Sequence, residues 1–215
     1  MQLAVFDLDG TITRRDTLTQ YTLGYLKTRP WRVFGFVLAL PALVRYAFAR
    51  DPGELKASLI HWTLGGSTRA ELDAWNARFV PELLKDRVFQ TAMERIATHR
   101  RDGDFLVLMS ASVDFYVPAI GKQLGFNETT CTGVRWDGDR LHGALTTINC
   151  RGEEKARRFE ALRAKHPGLR SVAYGNAASD LPHLRLADRG VLVNGSAAAR
   201  REAAEMKSVV CENWS

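Results

Sequence analysis

The chain's fold is constrained most by four short apolar runs: Leu3-Ala4-Val5-Phe6, Phe105-Leu106-Val107-Leu108-Met109, Ser171-Val172-Ala173-Tyr174 and Val191-Leu192-Val193. None alternates with polar residues as a strand wetted on one face would, so each suits a strand buried on both faces of a parallel sheet. The runs stop at Asp7, at Ser110, at Gly175-Asn176 and at Asn194. Residues 208–211 add a candidate last strand. Helical patterns separate these runs at 87–101, 113–124, 153–165 and 181–187, with Gly125 as a C-cap and Pro167-Gly168 as a stop. Such β-α alternation predicts an α/β protein with a doubly wound parallel sheet.

Two stretches fall outside the alternation. Residues 17–85 read as helices near 18–27, 32–49, 54–62 and 69–84, the last opened by a capping box from Thr68 to Glu71. Residues 131–149 read as short strands joined by a hairpin turn at Trp136-Asp137-Gly138-Asp139. The expected organisation is a core built from 1–15 and 86–215, with a helical insert at 16–85 after the first strand.

A net charge of +6 favours an anionic partner without choosing one. No tight Lys/Arg block is interleaved with aromatics, so no nucleic acid is expected. Cys131, Cys150 and Cys211 lie far apart and form no Cys-x-x-Cys pair. They read as free thiols in a reducing compartment, and strand-like residues from Gln2 onward leave no room for a leader, so the expectation is cytoplasmic.

Ligands of open α/β sheets bind beyond the carboxyl ends of the strands. The residues expected there are Asp7, Asp9, Ser110, Asn176 and Asp180, joined by Lys155 from the helix before the third strand. A carboxylate such as Asp7 can attack phosphorus and form an aspartyl-phosphate. Two anions meet in that step, which calls for a divalent cation with oxygen ligands: Mg²⁺ on Asp7, the Asp9 carbonyl, and Asn176 or Asp180. Ser110, Lys155 and the amides of Leu8, Asp9 and Ala111 are the candidate donors to phosphoryl oxygens. Asp9, two residues after Asp7, is the candidate acid for the leaving alkoxide and then the base for water.

This set resembles the haloacid dehalogenase superfamily. Asp7-Leu8-Asp9-Gly10-Thr11 is similar to its first motif, Ser110-Ala111-Ser112 to its second, Lys155 to its third, and Gly175-Asn176-Ala177-Ala178-Ser179-Asp180 to its fourth. The resemblance implies a Rossmann-like core with a helical cap inserted after the first strand. The stretch Cys150 to Lys155 looks like subfamily IB, the phosphoserine-phosphatase-like group. An acid at Asp9 implies phosphomonoester chemistry. In that group an acid near Asp16 reads the substrate ammonium, and Asp16 has a shorter reach than Glu. The family's fourth motif usually carries Asp where this chain has Asn176, which puts metal affinity in question. The insert more distantly resembles that of the membrane-associated phosphatidylglycerophosphatase C group.

Blander readings stand beside these. Asp7 and Asp9 suit an Asp-Gly turn, Asp16 caps the first insert helix, and Asp180 caps the helix at Leu181-Pro182. Arg157 and Arg158 read as solvated helix charges, and Arg14 and Arg15 as solvated or lining the entrance. The apolar part of 31–44 is too short to span a bilayer. It reads as a buried insert helix kinked near Pro41, or else as a surface that dips into lipid, rimmed by Arg29, Arg32, Arg45 and Arg50. The leading expectation is a Mg²⁺-dependent phosphatase acting on a small phosphate ester. The alternatives are a lipid-phosphate phosphatase at a membrane surface and a non-catalytic phosphate-binding module weakened by Asn176.

Overall fold

A computed structural model describes residues 1–49 and 51–215. Eight strands, β1 (Gln2–Phe6), β2 (Phe105–Val113), β3 (Glu128–Thr132), β4 (Val134–Asp137), β5 (Arg140–Leu145), β6 (Arg170–Gly175), β7 (Arg189–Val193) and β8 (Val209–Glu212), alternate with helices. The helices are α1 (Thr17–Thr28), α2 (Gly35–Leu38), α3 (Leu40–Ala49), α4 (Pro52–Leu64), α5 (Arg69–Asp86), α6 (Gln90–Arg101), α7 (Val117–Leu124), α8 (Glu153–Lys165), α9 (Leu181–Leu184) and α10 (Ala197–Ala203).

Six strands form one sheet in the order β3-β2-β1-β6-β7-β8, and every neighbouring pair is parallel. Successive side chains of β1 go to opposite faces. Leu3 and Val5 join Val107, Met109 and Phe159 on one side, while Ala4 and Phe6 join Leu106, Leu108, Ile96 and Ile120 on the other. Burial on both faces is why the runs carry no polar alternation. β1 lies between β2 and β6, so the chain order reverses beside it, and a crevice opens beyond its carboxyl end.

The connection from β1 to β2 carries α1 to α6. α1 is capped by Asp16, whose Oδ1 accepts from Thr19 N at 2.7 Å. The Thr68–Glu71 capping box opens α5. The β4–β5 hairpin leans on this helical layer: Leu141 N donates to Ser67 O at 2.9 Å, and Gly66 N to Leu141 O at 2.8 Å. Gly143 at φ +93° lies against the α4 backbone, where a Cβ would come within 2.6 Å of His61 N.

Several expectations are corrected. The segment read as one buried helix at 32–49 is a 3₁₀ turn (Pro30–Phe34) followed by α2 and α3, broken at Ala39, and α3 buries no residue. Pro41 opens the first turn of α3, where its missing N–H costs nothing, and the kink expected near it is a 41° bend at Ala39 just before it. Arg50 lies outside the described residues. No single helix among the described residues is long and apolar enough to cross a membrane. The pattern read as helix from 113 continues β2 to Val113 before α7 starts at Val117, because the second motif is itself strand. β3 joins the main sheet as an unforeseen edge strand.

Candidate active site

β1 hands its register to the next residue, since Asp7 N donates to Tyr174 O at 2.9 Å. The chain then turns tightly, with the amides of Thr11, Ile12 and Thr13 all aimed at Leu8 O. Gly10 has φ +82°, and a Cβ there would collide with the Asn176 side chain at 2.1 Å. This glycine therefore lets the fourth motif lie directly against the first.

At the bottom, three charged side chains are nearly sealed from solvent: Asp7 at 6% exposure, Lys155 at 2% and Asp180 at 4%. Lys155 Nζ donates to Asp7 Oδ1 at 2.6 Å and to Asp180 Oδ1 at 2.7 Å. Asp7 Oδ2 accepts from Thr11 Oγ1 at 3.0 Å. Asp180 Oδ2 accepts from the amides of Asn176 and Ala177, both at 3.0 Å. The carboxylate thus turns inward and ties the fourth-motif loop, and it makes no side-chain cap to α9. The two acids share one cation unequally. Burial raises Asp7 above the usual carboxylate range, aided by the nearby Asp180 and Asp9 charges and opposed by Lys155. Burial also works against Asp180, but Lys155 and the Ala177 amide outweigh it and hold that carboxyl low. Lys155 is desolvated too, yet its two acidic partners raise it above an ordinary lysine.

Asp9 looks the other way. Its Oδ1 accepts from Thr17 N at 2.6 Å and its Oδ2 from Ser112 Oγ at 2.7 Å, so it bridges the start of α1 and the end of β2. Burial raises Asp9 above its ordinary value, with Asp16 adding to the effect. Ser110 is fully buried, and its Oγ accepts from Ser112 N at 3.0 Å. Its own hydroxyl proton has no acceptor among the described residues. Ala111 and Ser112 line the cavity in front of it. The backbone N–H groups of Leu8 and Asp9 likewise donate to no protein acceptor among the described residues. Orphan amides beside a buried carboxylate and a lysine make a ready anion cradle.

The cavity above measures about 430 Å³. Arg14, Arg15 and Arg151 line it, as do Asp16, Leu18 and Pro52. Lys56 enters from α4 and donates to Ala111 O and Asn149 Oδ1, each at 2.6 Å. Burial lowers it to about 8, against the pull of Asp9 and Asp16. The structure therefore brings Asp7, Asp9, Asp16, Ala111, Lys155, Asn176 and Asp180 around one cavity, with Ser110 buried behind Ala111 and Ser112 and the Leu8 side chain in the core. Arg158 is not a solvated charge: it donates to Glu154 Oε1 at 2.6 Å, to Cys131 O at 2.7 Å and to Ile148 O at 3.1 Å, fixing the loop ahead of α8. Sequence reasoning missed Lys56, Thr17 and the Ser112 hydroxyl. Ser112 was findable, two residues beyond Ser110 on the same strand face. A lone lysine on an insert helix carries no comparable signal.

Among the described residues no three His, Cys, Asp or Glu side chains cluster in a way that could hold a metal ion. The donor set beside Asp7 is mixed instead. The Asp9 carbonyl and the Asn176 side chain accept or donate no hydrogen bond among the described residues, and Asn176 lies against Gly10. One carboxylate, one carbonyl and one amide oxygen are hard ligands of the type Mg²⁺ takes, with water completing the shell, so these residues fit that ion.

Residues 4–185 match the haloacid dehalogenase-like hydrolase family. The chain is 33% identical over 193 residues to Protein CicA of Caulobacter vibrioides, covering 86% of this chain and 83% of that protein. It is 26% identical over 212 residues to a Mycobacterium tuberculosis protein named Probable phosphatase Rv3661, covering 93% and 71%. A substrate-bound phosphoserine phosphatase superposes with a TM-score of 0.68 at 14% identity, covering 98% of this chain and 91% of that one, which is a likeness of fold. With the six-stranded parallel sheet and all four motifs meeting at one end of it, the chain belongs to the haloacid dehalogenase-like hydrolase family.

Proposed function

We propose that the protein is a Mg²⁺-dependent phosphomonoesterase working through an aspartyl-phosphate on Asp7. The observation that carries this reading is the pairing of Asp7 with Lys155 beside the two free amides of Leu8 and Asp9. An attacking oxygen and donors for the phosphoryl oxygens are thereby held in one small volume. The name of the mycobacterial relative and the fold shared with phosphoserine phosphatases point the same way.

In this reading an Asp7 oxygen attacks phosphorus, the bond from phosphorus to the ester oxygen breaks, and the leaving alkoxide takes a proton from Asp9. Asp9 then removes a proton from water, which attacks the same phosphorus. The bond to Asp7 breaks and inorganic phosphate leaves. Lys155, Ser110 and the amides of Leu8, Asp9 and Ala111 hold the phosphoryl oxygens. Asp7, the Asp9 carbonyl and Asn176 would hold Mg²⁺, which when bound offsets the repulsion between carboxylate and phosphate. Asp180 acts by positioning Lys155 and the Asn176 loop. Residues 16–85 serve as a cap over a core of 1–15 and 86–215, with Asp16 and Lys56 facing the rest of a small organic phosphate. The three cysteines are free, Cys211 being exposed, while burial pushes the Cys131 thiol up to about 12 and also raises Cys150, in keeping with a reducing cytoplasm as the proposed compartment.

The test is hydrolysis of an aryl phosphate with Mg²⁺, with chelator, and in Asp7→Asn. Metal-dependent turnover that falls on the order of 10⁴-fold in the variant is expected. If wild type is inactive with every divalent cation and Asn176→Asp is active, the chain is instead a phosphate-binding module.

A further inference from the structure

Ten of the fifteen exposed large apolar residues among those described lie between Trp31 and Phe48. Trp31 is 66% exposed, Phe34 69%, Val37 60% and Phe48 87%. The sequence of α3, Leu-Pro-Ala-Leu-Val-Arg-Tyr-Ala-Phe-Ala, is apolar nearly all round, yet none of its residues is buried. A helix of that composition normally lies inside a protein or in lipid. Here α2 is held to α4 through Gly35, where a Cβ would come within 2.1 Å of Trp62 O, and Ala39 just after α2 is buried, while most of the large apolar side chains of the segment face outward.

Charge identifies the occupant. Between Asp16 and Asp51 the chain has no acidic residue and five basic ones: Lys27, Arg29, Arg32, Arg45 and Arg50. In the structure Arg29 pairs with Glu71 at 2.7 Å and Arg45 with Glu54 at 2.8 Å, yet the segment itself carries no acid. Exposed apolar side chains on an acid-free, basic segment match the boundary between acyl chains and anionic headgroups. A two-fold contact with a second copy would set those cations against their own duplicates. The 3₁₀ turn with α2 and α3 make an apolar pair bent by 41°, a shape suited to lying in the interface plane.

We infer that the face formed by residues 30–49 docks the protein on an anionic lipid surface. The docked face adjoins the cavity. Only three residues separate Phe48 from Pro52 on the cavity wall, a reach of at most about 14 Å. Binding itself needs no turnover, so its test stands apart from that of the phosphatase reading.

The experiment is co-sedimentation of the full chain with vesicles of phosphatidylcholine, with and without phosphatidylglycerol, alongside a Phe34→Glu, Phe48→Glu double variant. Both positions are exposed, so the variant should melt at the wild-type temperature. Wild type is expected to bind the phosphatidylglycerol vesicles, more weakly as salt rises, and the variant to bind at least about a hundredfold more weakly. Wild type left in the supernatant with both vesicles would overturn the inference. So would undiminished binding by the variant, which would reduce the effect to overall charge. A wild-type dimer in sedimentation equilibrium that the double substitution dissociates would reassign the face to self-association.

Discussion

At the cavity floor Asp7, Lys155 and Asp180 are almost sealed from water, and each charged oxygen there has a partner within 3.0 Å. In α3, on the same molecule, no residue is buried and Phe48 is 87% exposed. The first region costs desolvation and recovers it through paired charges and amides, so its geometry is fixed before any ligand arrives. The second leaves apolar area in water that nothing among the described residues covers. The difference separates two duties. On the proposed function the ends of β1 and β6 hold the reacting groups still, while on the proposed docking the outer helices meet a lipid surface.

The comparison breaks most visibly if the floor is cut. Lys155→Met leaves Asp7 and Asp180 buried against each other without a cation, and should cost roughly 3–5 kcal/mol in denaturant unfolding, in addition to abolishing turnover. A loss below about 1 kcal/mol would mean that the floor is hydrated and its ion pairs are weak.

A smaller effect sharpens the picture of burial beneath the floor. His183 on α9 is fully buried, neither ring nitrogen has a partner among the described residues, and burial pushes its pKa down to about 3. An unfolded histidine titrates near 6.5. Between these values the unfolded chain binds one proton more than the native one, so this group lowers stability as pH falls, by about 1.4 kcal/mol per pH unit. Above pH 6.5 it has no such effect. The slope of unfolding free energy against pH should therefore flatten by that amount in His183→Leu between pH 6 and about 4. An unchanged slope would show that His183 titrates alike in both states.

The least effect is expected at the outer helices. Phe34→Glu with Phe48→Glu should change stability by less than about 0.5 kcal/mol and leave hydrolysis of a soluble aryl phosphate within about twofold of wild type. A large loss of either would place these side chains in the folded core or in closure of the site.

Much of this contrast was legible in the sequence, unevenly. Leu3 to Phe6 and Val191 to Val193 betray buried parallel strands because both faces demand apolar side chains. The residues just past them then fall at the ligand-binding edge by topology alone. Asp137-Gly138 marks its hairpin because the turn needs the residue type. β3 stayed hidden because Glu128, Thr129, Thr130 and Thr132 sit on an edge strand, where polar side chains are tolerated. The inward turn of Asp180 was hidden because a cap and a lysine partner ask for the same residue. Residues 33–44 were read as buried because hydropathy reports the need for an apolar medium and is silent on who supplies it.

The central claim is that Asp7 carries the phosphoryl group. The direct measurement is mass spectrometry of the wild-type protein, acid-quenched during turnover of an aryl phosphate with Mg²⁺ and then digested. A phosphoryl adduct on the peptide ending at Arg14, absent from Asp7→Asn, is the predicted result. Full turnover with no adduct, or an Asp7→Asn protein that hydrolyses at the wild-type rate, would contradict the account.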